Sequence, residues 1–413
     1  MRKNVWIWNH YATNMFFDEG GRHYCIAHFL KEEGYNPTIF CASTFHTSER
    51  FVDTRGQIFR RDEVNDIPFV FVKTPPYKGN GKSRAINMLS FYRRLFSTAK
   101  KYAREYGKPD VILASSVHPL TLVAGIKIAK KFGVPCICEV RDLWPESLVA
   151  YGSLKRNSLP AKLLYQGEKW IYIKADQIIM TWEGGSQYIR DRGWDTKINL
   201  DKVTHVSNGV MLSAFNRDVK ENAFADPDLD NNDFMNLVYA GSIRKVNDLG
   251  LILDSAKIIQ GQNQRIRFVI YGSGDQEELL KQRCREENIS NVFFKGRVEK
   301  KSIPSILVKS YANIVHNSST SLDKYGQSQN KFFEYMAAGQ CIIQTYSTGY
   351  SLIDKYECGV YAKKQTPEDI ASVILGICND EDHARRMGNN ARKAAVEFDY
   401  QVLTKKIIEC INR

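Results

Sequence analysis

The sequence has 413 residues, of which 43% are hydrophobic and 25% are charged. This composition is that of an ordinary globular protein. The length exceeds the roughly 250–300 residues that one hydrophobic core serves, so we expect two domains. No run of residues reaches the roughly 18 apolar positions that a transmembrane helix needs, which argues against a membrane-spanning class.

The net charge of +12 predicts an anionic partner: nucleic acid, an anionic membrane face or a polyphosphate ligand. The sequence has neither zinc-finger spacing nor the aromatic signature of RNA-binding domains, so we expect no nucleic-acid partner. Its nine cysteines include no C-x-x-C pair, and we interpret them as buried reduced thiols instead of a metal or redox site. Reduced thiols predict a cytoplasmic protein.

Short apolar runs alternate with amphipathic ones in the first half of the chain. The opening segment, MRKNVWIWNHYATN, has too short an apolar run for a signal peptide and is predicted as the first strand. Helices are predicted over GGRHYCIAHFLKEEGY and LTLVAGIKIAKKFG. Further strands are predicted at PTIFCAS, PFVFVKT, DVILASS, PCICEV and ADQIIMTW. This alternation predicts a mostly parallel sheet with helices on both faces.

The composition changes at AFADPDLDNNDF, where Asp, Asn and Pro predominate, and we interpret residues 211–235 as a polar linker. The alternation then resumes with strands at MNLVYAG, IRFVIYGSG, NVFFKG, YANIVHN and QCIIQTY, and with helices at LGLILDSAKIIQ and QEELLKQRCREEN. We therefore predict an α/β protein with two doubly wound Rossmann-like domains, residues 1–210 and 236–396, facing a cleft. Ligands of such sheets bind at the carboxyl ends of the strands.

Glycines and cations follow the first strands of the second half. Gly241 and Gly272 each come after a strand end, but the G-x-G of IYGSG lacks the third glycine of a dinucleotide fingerprint, so a tight turn is an equal interpretation. Arg244 and Lys245 lie in the loop after YAGS. Two adjacent cations there can neutralise a diphosphate, although a solvated loop pair is the plainer alternative.

The stretch SQNKFFEYMAAG predicts a short helix with one cation and one carboxylate near its start. Free N–H groups at a helix start and the charge of Lys331 favour phosphate. Glu334 lies one turn further, roughly 5 Å along the axis, where the ribose of a bound nucleotide would come. We expect Glu334 to accept hydrogen bonds from the ribose diol. A Lys331–Glu334 surface ion pair is the alternative.

Seven motifs occur in an order that resembles a known enzyme family: EGGRHYCIAHFLKEEGYNPTIF, SSVHPLTLVAGIKIAKKFGVP, EVRDLWPES, VSNGV, YAGS, YGSGDQEELL and QNKFFEYMAAGQCII. Together they resemble the family 4 retaining glycosyltransferases, which have two Rossmann-like domains (GT-B type). EVRDLWPES with SSVHP resembles the branch that contains the amino-sugar (fucosamine-type) transferases of O-antigen and capsule synthesis. The resemblance spans nearly the whole chain, and implies that residues 397–413 form a helix returning to the first domain.

The resemblance implies roles for individual residues. Gly20 and Gly21 would let the donor diphosphate approach the backbone, and Val298 would contact the base. His118 would face the donor sugar and acceptor, as the catalytic residue, while Arg141 and Asp142 would line the acceptor side. The remaining donor-binding residues would be Arg244, Lys245, Gly272, Asn330, Lys331 and Glu334. His118 has a simpler interpretation as a helix-start residue before Pro119, and the family's phosphate lysine often lies nearer Asn247.

One position departs from the family pattern. The family commonly has a Glu eight positions before the ribose Glu, where it holds donor-sugar hydroxyls, and this sequence has Gly326 there. The departure predicts a UDP-sugar donor with different hydroxyls, such as a deoxy or N-acetylated sugar. The family mechanism implies no cofactor and no metal: the D-x-D triplets Asp226–Asp228 and Asp228–Asp230 are interpreted as solvated turns of the linker.

The segment KSRAINMLSFYRRLFSTAKKYAREY, residues 82–106, predicts a basic amphipathic helix. Such a helix can lie on an anionic membrane, or its apolar face can pack on the sheet, and both can hold together. A lipid-diphosphate-linked sugar acceptor would make membrane contact useful, so we expect a peripheral protein at the inner face of the plasma membrane. A UDP-sugar epimerase on the same two-domain plan and a basic nucleic-acid or membrane-binding protein are the alternative functions.

Overall fold

A computed structural model describes residues 2–46, 48–79 and 81–413. The chain divides into two compact units, Met1–Ser207 with Tyr400–Arg413, and Asn208–Asp399. The predicted domain boundaries at residues 210 and 397 lie within three residues of these limits. Each unit has its own sheet, as two α/β domains require, and no helix in the described residues has the length and hydropathy to span a membrane.

The first unit is built on a sheet of eight strands in the order β3-β4-β2-β1-β5-β6-β7-β8. Only the β3–β4 pair is antiparallel. Continuous apolar runs such as Val111–Ser115 are buried on both faces, as parallel strands between helices must be. The strands are β1 Asn4–Trp8, β2 Asn36–Ala42, β3 Phe59–Val64, β4 Ile67–Val72, β5 Val111–Ser115, β6 Cys136–Val140, β7 Gln177–Met180 and β8 Val203–His205.

Helices connect these strands and have recognisable ends. The helix after β5 starts with Pro119 and stops at Gly133, which adopts the left-handed conformation. The helix at 159–174 is capped by Ser158, whose hydroxyl accepts a hydrogen bond from the Ala161 amide. The helices are α1 Thr13–Phe17, α2 Arg22–Glu32, α3 Lys82–Tyr106, α4 Pro119–Phe132, α5 Glu146–Ala150, α6 Leu159–Lys174 and α7 Gly185–Asp191, with a 3₁₀ turn at Leu200–Lys202.

The second unit has six parallel strands in the order β11-β10-β9-β12-β13-β14. Alternate side chains of a strand enter different cores: Leu237 and Tyr239 pack on one face, Val238 and Ala240 on the other. The elements are α8 Leu212–Glu221, β9 Met235–Ala240, α9 Gly250–Gln260, β10 Ile266–Tyr271, α10 Glu277–Glu286, β11 Val292–Gly296, α11 Ile303–Lys309, β12 Ala312–Val315, α12 Asn330–Ala338, β13 Cys341–Gln344, α13 Leu352–Tyr356, β14 Gly359–Tyr361, α14 Pro367–Cys378 and α15 Glu381–Ala394, with 3₁₀ turns at Lys245–Asn247, Lys300–Ser302, Asp323–Tyr325 and Ala395–Phe398.

The last helix, α16 Tyr400–Asn412, belongs to the first unit and packs against α2. Leu403, Ile407 and Ile411 are buried along one side of it, at the spacing of a helical stripe. At its end, the Asn412 amide oxygen accepts a hydrogen bond from the Lys3 ammonium at 2.9 Å. The helix predicted for residues 397–413 therefore returns to the first domain, beginning three residues later than expected.

Residues 211–235 do not form the predicted solvated linker. They contain α8 and belong to the second unit. Asp226 is buried, accepts a hydrogen bond from the Tyr271 hydroxyl at 2.8 Å and forms an ion pair with Lys295. Lys295 also binds Asp228. The first D-x-D triplet is thus neutralised by a lysine and anchors its segment to β10 and β11, which corrects the interpretation as a solvated turn.

Helix α3, the predicted basic amphipathic helix, buries one side of its surface within the first unit. Asn87, Phe91, Leu95 and Tyr102 are buried at intervals of four or seven residues. The sheet-packing alternative for this helix is therefore confirmed. Ile86 and Leu89, two apolar residues of the same helix, are exposed.

Candidate functional site

Helix α12 begins at the carboxyl-end side of the second sheet's strand β12. Gln329 precedes its first residue, Asn330, and makes no side-chain cap, so the side chain of Gln329 leaves the first-turn amides uncapped. Asn330 is exposed. The helix ends at Gly339 in the left-handed conformation, as the sequence predicts. The amides of a helix start that carries no side-chain cap are available to an anion.

Lys331 extends from the first turn of α12 to the end of β9. Its ammonium lies 4.2 Å from the centroid of the Tyr239 ring. It also lies where a side chain on Gly241 would go, because an added Cβ would be 2.7 Å from Nζ. Burial lowers the pKa of Lys331 to about 8, against the raising effect of Glu334. Gly241 therefore leaves room for a cation that is only partly solvated.

Glu334 is half-buried one turn along α12. Burial raises the pKa of Glu334, and the charges of Lys300 and Lys331 offset part of that effect. The Lys331 ammonium lies beside the Tyr239 ring, and among the described residues it forms no hydrogen-bonded ion pair with the Glu334 carboxylate, so the surface ion pair considered as the alternative is not formed. In the part of the chain that the structure describes, this cation and this carboxylate on neighbouring turns have no ion-pair partner at contact distance.

The loops after β9 and β10 pack backbone against backbone. A Cβ on Gly272 would be 1.7 Å from the Gly241 carbonyl oxygen, and one on Gly274 would be 2.0 Å from that of Ile243. Both glycines of IYGSG are therefore required for this close approach of two loops, which gives them a structural reason independent of any ligand. A donor contact at Gly272 stays a prediction.

The predicted cation pair lies in the loop after β9. Arg244 and Lys245 are exposed, and among the described residues their side chains form neither a hydrogen bond nor an ion pair, although their backbone carbonyls accept hydrogen bonds from the Asn247 and Asp248 amides. Asn247 closes the loop by accepting a hydrogen bond from the Ser242 hydroxyl at 2.9 Å. Val298 is partly buried against the core of this unit. The structure does not choose between Arg244 and Lys245.

A pair of hydrogen bonds fixes the segment that leads into α12. The Asn208 side-chain amide donates to the Ser328 carbonyl oxygen at 2.6 Å, and the Asn208 backbone N–H donates to the Ser328 hydroxyl at 2.8 Å. Asn208 belongs to the VSNGV motif, for which the sequence alone suggested no role. Gly326, two residues before Ser328, has φ of +96° and ψ of −163°, a conformation essentially reserved for glycine.

In the first unit, Gly21 directly precedes α2 with φ of +94°, and Gly20 lies beside it. The next two residues, Arg22 and His23, are buried and both bind Glu139 of β6, at 2.8 and 2.7 Å. Sequence reasoning missed this network. A glutamate inside the apolar run PCICEV was its signal, since a buried charge must be paired.

His118 lies at the start of α4 and is fully buried. Its Nε2 is 2.6 Å from Nδ1 of His10, a residue the sequence analysis passed over. Burial and the charge of Arg84 lower the pKa of His118 to about 3, so this imidazole is neutral near pH 7. It can exchange hydrogen bonds but does not supply a cation.

The predicted acceptor residues follow the end of β6. The Arg141 backbone N–H donates to the Ser116 hydroxyl at 3.0 Å, which joins this loop to the one before His118. The Arg141 carbonyl accepts from the Trp182 indole at 2.9 Å. Asp142 is exposed. The structure thus brings the two loops of the predicted acceptor side together within the first unit.

Within residues 2–46, 48–79 and 81–413, no three His, Cys, Asp or Glu side chains come together as ligands of a metal ion. The Asp226–Lys295–Asp228 ion pairs account for the first acidic triplet. Metal-independent activity stays a prediction.

Two family models match the chain. Residues 25–209 match the "Glycosyl transferase 4-like domain", and residues 220–394 match "Glycosyl transferases group 1". An uncharacterized glycosyltransferase of Methanocaldococcus jannaschii is 21% identical over 262 residues, which cover 62% of this chain and 65% of that protein. The matched part therefore spans slightly less than two thirds of that relative.

Solved structures share the fold at low identity. A sucrose-phosphate synthase from Thermosynechococcus elongatus has a TM-score of 0.71 and 15% identity, with 99% of this chain and 98% of that one covered. The Anabaena protein HepE, in complex with UDP, has a TM-score of 0.70 and 13% identity, with 99% of each chain covered. Two α/β domains with parallel sheets on this plan form the GT-B fold.

Proposed function

Because both halves of the chain match glycosyltransferase domains on a GT-B fold, we place it in the GT-B glycosyltransferase family and propose that it transfers a sugar from a UDP-sugar to a lipid-linked or saccharide acceptor. We further propose a retaining, metal-independent hexosyl transfer in surface polysaccharide (O-antigen or capsule) synthesis, with an N-acetylated or deoxy sugar as donor. The family matches favour this activity over the UDP-sugar epimerase considered above.

The observation that carries the proposal is the arrangement at the start of α12. Lys331 presents an ammonium beside the Gly241 turn, and Glu334 presents a carboxylate one turn further. A diphosphate at the helix start would be bound by amides and by Lys331, and the ribose hydroxyls would then meet Glu334. Arg244 and Lys245 supply further positive charge from the loop after β9. Asn330, Gly272 and Val298 complete the proposed donor contacts.

In the proposed reaction the bond between the anomeric carbon and the UDP oxygen breaks. The acceptor hydroxyl forms the new bond on the face that UDP leaves, and its proton passes to an oxygen of the leaving phosphate. No protein nucleophile takes part. Lys331 and the α12 amides stabilise the charge that develops on UDP, which is the work a metal ion does elsewhere. Neutral His118 would hold a sugar hydroxyl by hydrogen bonding, with Arg141 and Asp142 on the acceptor side.

Gly326 supports a donor other than a plain hexose. The family glutamate would require a residue with a side chain at φ of +96° and ψ of −163°, and that conformation costs about 1–3 kcal/mol for any residue but glycine. The backbone conformation at Gly326 therefore disfavours a carboxylate side chain at this position. A sugar with an acetamido or deoxy position lacks a hydroxyl that such a carboxylate would bind.

A panel of UDP-sugars with a lipid-diphosphate-linked acceptor, read by mass spectrometry, tests the proposal. We expect acceptor-dependent release of UDP and a product heavier by one amino or deoxy sugar. A strong preference for UDP-glucose would overturn the donor assignment. Conversion of the UDP-sugar to another UDP-sugar without acceptor would overturn transfer in favour of epimerisation. No heat of binding with any uridine diphosphate compound would overturn the site itself.

A further inference from the structure

Helix α6 of the first unit turns apolar side chains to solvent. Its exposed apolar residues follow one another at intervals of four, seven and three, which places them in one stripe along the helix. The exposed fractions are 70% for Leu159, 65% for Leu163, 36% for Trp170 and 38% for Ile173. We call these four residues the α6 stripe.

Positive charge flanks the α6 stripe on both sides. At 3.6 residues per turn, Lys162 and Lys169 fall on one flank and Lys174 on the other. The one acidic residue of the helix, Glu168, points inward, where it accepts hydrogen bonds from the hydroxyls of Tyr172 and Tyr188 at 2.8 Å each. The outer side of α6 therefore carries four exposed apolar side chains and one neutral amide, Gln166, with lysines at both edges and no carboxylate.

A pocket of about 190 Å³ lies beneath this helix, between α4 and α6. Two stripe residues, Leu163 and Trp170, also line the pocket, so it opens beside the stripe. Val123, Val140 and Ile171 form part of its inner wall. An apolar cavity of about 150 Å³ holds one benzene molecule, so this pocket has room for about one isoprene unit or the end of an alkyl chain.

Burial raises the pKa of Glu168, which also lines the pocket, to about 8. At pH 7 this carboxyl is mostly protonated and does not place a full charge in the wall. Asp142, which we assign to the acceptor side, lies at the same pocket. The pocket therefore joins the proposed acceptor residues to the α6 stripe.

We propose that the α6 stripe docks on a bilayer with anionic headgroups and that the pocket beneath it receives the hydrocarbon chain of one lipid. The stripe would enter the headgroup boundary with Trp170 at the interface, while the flanking lysines bind phosphate groups. This proposal deepens the proposed function. It rests on that function in one respect, that the bound hydrocarbon chain belongs to the lipid-linked acceptor.

The exposed residues favour α6 as the membrane-binding surface over α3, the helix for which the sequence suggested membrane contact. On α3, the Tyr92 and Phe96 rings are partly covered by Lys127 and Lys131 of α4, and Glu105 adds negative charge. Only Ile86 and Leu89 remain as exposed apolar residues near its start. On α6, four apolar side chains and the neutral Gln166 share one exposed side, which carries no carboxylate of this helix.

Sedimentation with vesicles, without donor or acceptor, tests the docking surface. Vesicles of phosphatidylglycerol and phosphatidylcholine in equal amounts should bind the protein in low salt and release it in high salt. Leu163→Glu should weaken binding at least about tenfold, the size expected from keeping a leucine out of apolar surroundings. Leu279→Glu, at a helical leucine of α10 that is 59% exposed, is the matched control and should bind as the wild type does.

Ile86→Glu separates the two candidate surfaces, because Ile86 of α3 is 60% exposed. Loss of vesicle binding in Ile86→Glu but not in Leu163→Glu would overturn the proposal. Equal losses in Ile86→Glu, Leu163→Glu and Leu279→Glu would also overturn it. Since these residues are exposed, unchanged circular dichroism should accompany each substitution. Binding is measured without catalysis, so failure here is distinguishable from failure of sugar transfer.

Gly167 gives a separate test of the pocket. It lines the pocket, and no atom lies within 4 Å of a Cβ built on it, so a side chain can enter the empty space. Gly167→Phe should abolish binding of farnesol, followed by tryptophan fluorescence, whereas Gly167→Ala should keep it. Equal farnesol binding by both variants, or none by the wild type, would overturn the assignment of a lipid chain to this pocket.

Discussion

The ammonium of Lys331 on α12 lies 4.2 Å from the centroid of the Tyr239 ring on β9. The contact replaces part of the hydration that a surface lysine keeps, and the pKa of Lys331 falls to about 8 because of this burial. Tyr239 thereby fixes the direction of a cation that meets no carboxylate at contact distance within residues 2–46, 48–79 and 81–413. Such a lysine gains most from an anion placed beside it.

UDP affinity should fall in alkaline solution because only protonated Lys331 attracts the diphosphate. With a pKa near 8 in the free protein, the lysine is mostly charged at pH 7, and the dissociation constant should rise about tenfold from pH 7 to pH 9. Isothermal titration calorimetry across this range measures the slope. Lys331→Arg keeps its charge throughout, so its affinity should be nearly independent of pH. Equal slopes in both proteins would contradict the role of Lys331.

Removing the Glu334 carboxylate should erase discrimination between ribose and deoxyribose. The wild type should bind UDP about 10–100-fold more tightly than 2′-deoxy-UDP, the range expected when a charged hydrogen-bond acceptor loses its partner. In Glu334→Ala the two ligands should bind alike. A difference that survives in the variant would place the ribose elsewhere. Glu357→Ala, at an exposed glutamate of the same unit, should keep the discrimination.

The sequence was sufficient for the buried strands and for α12. Continuous apolar runs identify parallel strands because both faces are covered, and all eleven predicted strands are strands in the structure. Strand β3, with the sequence FRRDEV, was missed because it is an edge strand and four of its six residues are charged. Its turn, Asn65 and Asp66 with φ of +49° and +55°, was a hairpin signal that went unused.

The pairing of polar residues that are distant in the chain could not be predicted from the sequence. Glu139 meets Arg22 and His23 across more than a hundred residues, and no local pattern states which buried charges will be neighbours. The same limit applies to Asp226, where composition indicated solvent and Lys295 instead provides a partner. The α12 prediction succeeded because Lys331 and Glu334 are related by helix geometry alone.

Adding a side chain at Gly326 should disturb the donor loop. Gly326→Glu, which restores the family residue, should lower the melting temperature and weaken UDP binding, since the position has φ of +96°. Turnover of UDP-glucose should not appear. The control is Gly376→Ala within α14, where an added Cβ meets no atom within 4 Å; it should be neutral or stabilising. Efficient use of UDP-glucose by Gly326→Glu would mean that the loop accepts the carboxylate.

Replacing Glu139 should destabilise the first unit more than any exposed carboxylate does. Arg22 and Ser115 donate to Glu139 at 2.8 and 2.6 Å, so Glu139→Gln leaves a buried guanidinium without its counter-charge and should cost about 3–5 kcal/mol. Glu63→Gln, in an exposed pair, should change stability by less than about 0.5 kcal/mol.

The pH dependence of unfolding separates two effects of Glu139→Gln, the loss of the buried charge and the loss of packing. Burial opposes the charge of Glu139, but Arg22 and His23 hold its pKa well below the usual value. A depressed carboxyl pKa contributes stability above the unfolded value of about 4.3, and that contribution is lost as the pH falls through the folded value. Urea unfolding at pH 7 and pH 3 should therefore show a narrower gap in stability between wild type and Glu139→Gln in acid, because the pH then lies well below the unfolded value. A gap of equal size at both pH values would assign the effect to packing alone.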